Sequence, residues 1–121
     1  MVSTWTQVGS DIDGEAAGDN AGRTALSISS DGLVVAIGSY TNDGNGTDSG
    51  HVRIYKNENG TWTQVGSDID GEAAGDQSGI SVSLSSDGSV VAIGGWHNDD
   101  NGTNTGHVRI YKNENGTWSQ V

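Results

Sequence analysis

GISVSLSSDGSVVAIGG, residues 79–95, recurs as a near copy at residues 22–39, and its reading decides the fold. Ile80, Val82 and Leu84 alternate with Ser81, Ser83 and Ser85, so an extended segment carries one apolar face and one face of small hydroxyls. Asp87-Gly88 follows at once. An Asp-Gly step between apolar runs predicts a two-residue type I′ hairpin, which needs positive φ at both positions. Val90, Val91, Ala92 and Ile93 then form a continuous apolar run ended by Gly94-Gly95, the pattern of a strand covered on both faces.

Outward from this hairpin, HVRIY at residues 51–55 and 107–111 reads as a third strand, with Val and Ile alternating with His, Arg and Tyr. Asn59-Gly60 and Asn115-Gly116 are the next hairpin turns, and TWTQV from Thr61 or TWSQV from Thr117 is the fourth strand. No apolar spacing of three and four residues is sustained, so no helix is expected. TWTQVGSDIDGEAAGD begins at Thr4 and again at Thr61. The chain is therefore one unit of two tandem repeats with a period of roughly 57 residues. They span about 4–60 and 61–116, with the start of a third at 117–121. Aligning Asp31 with Asp87 leaves Arg23 as an extra residue and Thr24 opposite Ile80, which predicts a bulge or a longer entry loop in the first unit.

Composition narrows the physics. Gly supplies 20 of the 121 residues, and Pro, Phe and Cys are absent, so disulfides and thiolate metal sites are excluded and stability rests on packing and strand ladders. The net charge is −11, with Arg23, Arg53, Lys56, Arg109 and Lys112 the only cations, and such a surface repels phosphate backbones and anionic lipids. Nucleic acid and membrane are thus poor partners. No stretch has the length and apolarity of a membrane span, and Met1-Val2-Ser3 leads straight into repeat sequence, so a soluble chain without an export signal is expected.

Four antiparallel strands per unit in tandem predict an all-β fold of two four-stranded β-propeller blades, each packing its faces on its neighbours. Two blades cannot close a ring and would expose an apolar face at each end. Either the chain belongs to a longer array, or further copies complete the ring by head-to-tail association, with three or four chains giving six or eight blades. The expected partner is the chain itself, as a cyclic homo-oligomer. TWTQV at Trp5 and TWSQV at Trp118 then compete for one outer-strand position at each junction.

The run G-x-S-V-S-L-S-S-D-G-S-V-V-A-I-G-G, an Asn/Asp/Gly loop and G-H-V-R-I-Y, in that order in both copies, resembles the FG-GAP-type repeat of integrin-α-like propellers. The resemblance implies a propeller used for adhesion or ligand contact, usually extracellular or at the cell surface. It also implies a calcium loop between the first two strands, where this chain has only Ser29-Ser30-Asp31-Gly32 and Ser85-Ser86-Asp87-Gly88, so those ligands do not carry over. The Gly-Ala-Pro step is altered too, to Gly38-Ser39-Tyr40 and Gly94-Gly95-Trp96.

Tight turns share one edge of a meander and long loops the other. Of sixteen carboxylates only Asp31, Glu58, Asp87 and Glu114 fall in tight turns, so the long-loop edge is acidic. Asp11, Asp13, Glu15 and Asp19, and again Asp68, Asp70, Glu72 and Asp76, stand at relative positions 1, 3, 5 and 9. Those are oxygen-ligand positions of a calcium loop, though Gly at position 6 and a carboxylate at position 12 are missing. Calcium is the one cofactor to consider, against a plain solvated interblade loop. Tyr40 and Trp96, where the second strand opens into the acidic loop, are candidate sugar-stacking residues or packing caps. Trp5, Trp62 and Trp118 read as packing anchors, and His51 and His107 as structural residues beside Arg53 and Arg109. His97, with Asp99 and Asp100, has no copy in the first unit, and Asn-Gly-Thr at Asn45, Asn59, Asn101 and Asn115 is explained by turn preference. With no nucleophile motif, zinc motif or phosphate loop, the expectation is a non-enzymatic propeller scaffold, a fragment or an engineered assembly of such repeats. The alternative is a calcium- or carbohydrate-binding adhesion module using the acidic loops. A hydrolase built on channel carboxylates is a distant third.

Overall fold

A computed structural model describes residues 4–99 and 101–121; Met1 to Ser3 and Asp100, read above as leader-free sequence and as a neighbour of His97, lie outside the described residues. Among the described residues there is no helix and there are nine strands. The first sheet holds β1 (Leu26–Ile28), β2 (Val34–Ser39), β3 (His51–Glu58) and β4 (Thr61–Gln64) as an antiparallel meander, and β5 (Ile69–Asp70) also pairs with β3. The second holds β6 (Ser81–Leu84), β7 (Val90–Gly95), β8 (His107–Glu114) and β9 (Thr117–Gln120) in the same order. Each sheet therefore takes its outer strand from the TWTQV or TWSQV that opens the next sequence repeat.

The two kinds of turn behave differently. Asn59 and Asn115 (φ 55°) and Gly60 and Gly116 (φ 90°) are all left-handed, and Glu58 pairs with Thr61, which is the two-residue turn expected of Asn-Gly. At Asp31-Gly32 and Asp87-Gly88 only the glycines have positive φ. The type I′ expectation fails there because the Asp carboxylate binds the local backbone instead. Asp31 Oδ1 accepts from the Leu33 amide (3.0 Å) and the Ser29 hydroxyl (2.7 Å), and the Gly32 amide closes on the Ser29 carbonyl. The loop is consequently a wider turn with its left-handed residue at Gly.

The extra residue in the first unit is absorbed at the entry to β1. The Gly22 amide donates to the Gly38 carbonyl just as the Gly79 amide donates to that of Gly94, and the Gly38 amide donates back to Ala25. Arg23 and Thr24 lie between Gly22 and Ala25, where Ile80 alone lies between Gly79 and Ser81. Two residues thus oppose the span of one, a bulge.

Side-chain alternation gives each sheet two faces. The front of the first sheet carries Val34, Ala36, Val52 and Ile54; the back of the second carries Val82, Leu84, Val91, Ile93 and Tyr111. Together with Ile69, Val65 and Trp118 these form the core, in which Ala36, Val52 and Val91 are completely buried. The inner strands touch through the Leu84 amide and the Ser27 hydroxyl (3.0 Å), and the Thr24 hydroxyl donates to the Ile80 carbonyl (2.9 Å). Gly38 allows a close approach of the two sheets, since a Cβ there would overlap the Gly79 carbonyl oxygen.

The remaining two faces are only partly covered. On the back of the first sheet Leu26 and Ile28 are 62% and 56% exposed, and on the front of the second Val108 and Ile110 are 66% and 43% exposed. The run at Val90 to Ile93 is accordingly covered on one face only, by the first sheet.

Candidate functional site

Three segments of each repeat meet at the long-loop edge: the linker that follows the outer strand, the β2–β3 or β7–β8 loop, and the start of β3 or β8. The linker does not curl into a closed loop. Its first part runs antiparallel beside β3, with Ile69 opposite Val52 and Asp70 opposite His51, and its later part turns under the β2–β3 loop, where the Gly75 amide donates to the Thr47 carbonyl (2.8 Å).

The four carboxylates of each DIDGEAAGD segment have different surroundings. Asp11 is exposed and accepts from Gln7 Nε2 (2.7 Å), and Asp13 is exposed. Asp19 is buried at 4% exposure and accepts from the Ala16 amide (3.2 Å) and Asn42 Nδ2 (2.8 Å). Asp76 repeats this with the Ala73 amide (3.2 Å) and Asn98 Nδ2 (2.9 Å). Glu15 and Glu72 add a second carboxylate oxygen to the same asparagines (3.1 and 3.2 Å). Asn42 and Asn98 therefore tie the linker to the neighbouring loop, a role carried in sequence only by their recurrence at one repeat position.

Asp68 belongs to a different cluster. Arg53 on β3 donates to it through Nε (2.8 Å) and Nη2 (3.1 Å), and also through Nη2 to Glu15, while Gln64 Nε2 donates to Asp68 (2.6 Å). The Arg53 hydrogen bond holds the Asp68 carboxyl below its usual range, and the same bond pushes the Arg53 pKa up. Burial, then the Asp68 charge, pushes the Asp70 carboxyl up. His51 is 1% exposed, its Nδ1 has no hydrogen-bond partner and lies 3.7 Å from Asp68 Oδ2. Burial drives its pKa down more strongly than Asp68 draws it up, so the ring is held toward its neutral form.

Donor atoms close enough to share an ion come from Glu15, His51 and Asp68, and from Glu72, Asp76 and His107. Each group takes only part of a predicted calcium loop and adds a histidine from a strand. In the first, the Arg53 guanidinium already supplies the positive charge.

Tyr40 is half-buried, and Trp96 is 57% exposed at the end of β7. The Trp96 indole donates to Gln77 Oε1 (2.8 Å) and meets the His97 ring edge-on at 4.3 Å. Trp62 and Trp118 donate from Nε1 to the carbonyls of Val8 (2.8 Å) and Val65 (2.9 Å), pinning each outer strand to the segment that opens the preceding linker. Clefts of about 350 and 270 Å³ lie beside these indoles, floored by Ile12 and Tyr55 in one and Ile69 and Tyr111 in the other. Trp5 is 98% exposed, so β9, not the Trp5 segment, fills the outer-strand position of the second sheet within one chain.

The order of these parts is outer strand, linker, inner hairpin and third strand. Residues 62–111 match the FG-GAP repeat family. The FG-GAP segment opens within β4 of the first sheet and closes within β8 of the second, so one repeat spans a blade junction rather than a blade. The two antiparallel sheets of the chain are consistent with the blades of a β-propeller-type repeat module. No curated protein matches the chain significantly.

Proposed function

We propose that the chain is a non-enzymatic propeller scaffold that associates head to tail with further copies of itself into a closed ring of three or four chains. One observation carries this reading. The back of the first sheet, with Leu26 and Ile28 exposed and Val35, Ile37 and Tyr55 half-buried, is the repeat counterpart of the back of the second sheet, and the front of the second, with Val108 and Ile110 exposed and Val90 and Ala92 half-buried, is the counterpart of the front that the first sheet buries. A chain thus displays both halves of a junction that it already makes once internally, an arrangement that is heterologous and self-propagating until rotation closes it. The four most exposed of these residues form apolar patches of the kind that mark interaction surfaces.

A cation- or sugar-binding module is the weaker reading, because Asp19, Asp68, Asp76, Glu15 and Glu72 are already engaged by protein donors. Light scattering across a concentration series tests the ring. A molar mass of three or four chains is expected, reverting to 12.4 kDa in Leu26→Asp. A wild-type chain that stays at 12.4 kDa at high concentration refutes the reading.

A further inference from the structure

Arg53 and Arg109 occupy the same repeat position, in the same HVRIY strand, yet their surroundings differ. Arg53 is held in a fork by Asp68, while Arg109 donates through Nη1 to the Asp70 carbonyl (3.3 Å), lies over the Tyr111 ring at 5.2 Å, and keeps a buried Nε with no hydrogen-bond partner. A buried guanidinium N–H without an acceptor gives up its hydration and gains no bond in return, so such a group marks a missing partner. Among the described residues, Asp68 and β5 have no counterpart beside the second sheet. Val108, the counterpart of the completely buried Val52 that β5 pairs with, is 66% exposed.

The absent pieces exist in the chain, at its other end. Gly9-Ser10-Asp11-Ile12-Asp13 is identical to Gly66-Ser67-Asp68-Ile69-Asp70. One side of it is already used as in the later copy: the Val8 carbonyl receives the Trp62 indole as the Val65 carbonyl receives that of Trp118. The other side is not. Asp11 is exposed and, among the described residues, hydrogen-bonds only with Gln7, and Ile12 is half-buried where Ile69 is 6% exposed.

We infer that Asp11 of a second copy supplies the carboxylate for Arg109, and that Ile12 and Asp13 of that copy add to β8 beside Val108 as β5 adds to β3. This rests on the head-to-tail reading and gives it a polar lock. Burying Val108 and Ile110 against a neighbour is non-directional, whereas a forked Arg–carboxylate contact has one geometry and so sets the register of the joint. It also makes the linker, rather than the outer strand, the segment that crosses between chains, which is compatible with β9 keeping its place on β8.

A double-mutant cycle on the intact chain tests this, with association measured by sedimentation equilibrium and folding followed by thermal melting. Asp11→Ala is the decisive variant, because Asp11 is exposed and its hydrogen bond among the described residues is to the exposed Gln7. It should weaken association by at least about tenfold in the wild-type background and by almost nothing beside Arg109→Ala. Equal weakening in both backgrounds overturns the pairing. Unchanged association in Asp11→Ala, while Leu26→Asp dissociates the assembly, overturns the lock and leaves the head-to-tail reading standing. A wild-type chain that never associates removes both.

Discussion

Ile54 and Ile110 stand at the same place in the repeat, paired with Ala36 and Ala92 across equivalent ladders, but Ile54 is 1% exposed and Ile110 43% exposed. Replacing each by Ala removes the same atoms from the same strand, so the difference in effect isolates what the blade junction contributes. For Ile54→Ala the loss includes transfer of the removed methyl groups and the cavity left in the core cluster, about 2–5 kcal/mol. For Ile110→Ala in a single chain no closed cavity forms and only part of the transfer energy is at stake, about 1 kcal/mol. For a domain of this size each kcal/mol moves Tm by roughly 3–6 °C, so the two variants should separate clearly. Urea unfolding at a dilution where light scattering reports single chains gives both values. At higher concentration Ile110→Ala should lose additional stability as the face becomes an interface. Equal losses for the two variants in the dilute, single-chain sample would refute the packing of front on back from which the junction is argued.

Three further outcomes follow from the geometry. Asn42→Ala and Asn98→Ala each deprive a buried aspartate of its side-chain donor and should lower stability by about 1–3 kcal/mol in urea unfolding, with changes under about 0.5 kcal/mol counting against the loop-tying role. Stability should fall as pH drops below about 6.5, because the folded His51 pKa is depressed and the unfolded chain takes up the proton first; a second loss below about pH 3.8 follows the depressed Asp68 carboxyl. His51→Gln should flatten the upper part of that pH profile and leave the lower part. Gly38→Ala should destabilise by about 2 kcal/mol or more, since its Cβ meets backbone of the other sheet. Gly94→Ala, where the obstacle is the Ser81 hydroxyl, should lose less, and the reverse order would place the close approach elsewhere.

What was legible in sequence was local or periodic. The alternation at Ile80 to Ser85 and the β-branched run at Val90 give the hairpins because a strand's face is set by period two alone, and Asn59-Gly60 gives its turn because both residues accept positive φ. The slip at Arg23 was legible because two near-identical copies act as each other's ruler. Asp31-Gly32 was misread as a type I′ turn because the carboxylate's choice between solvent and the Leu33 amide is not written in the dipeptide. The linker carboxylates present a deeper difficulty. Their spacing of two suits a calcium loop, and it suits equally a short strand whose Asp68 reaches Arg53, fifteen residues earlier, while Asp76 turns inward to Asn98. Only the path of the chain beside β3 distinguishes these, and that path is a tertiary fact.

The same limit acts in a sharper form across the repeats. Residues that are identical in sequence, Arg53 and Arg109 or Val52 and Val108, reach opposite states because one copy has a linker and a second sheet packed beside it and the other does not. No propensity, charge count or motif separates them; their position in the stack does. The strands of each sheet are set by the repeat pattern, whereas the proposed function depends on surroundings that differ between the two sheets. The decisive measurements are therefore those that compare a residue with its own repeat counterpart, with everything local held constant.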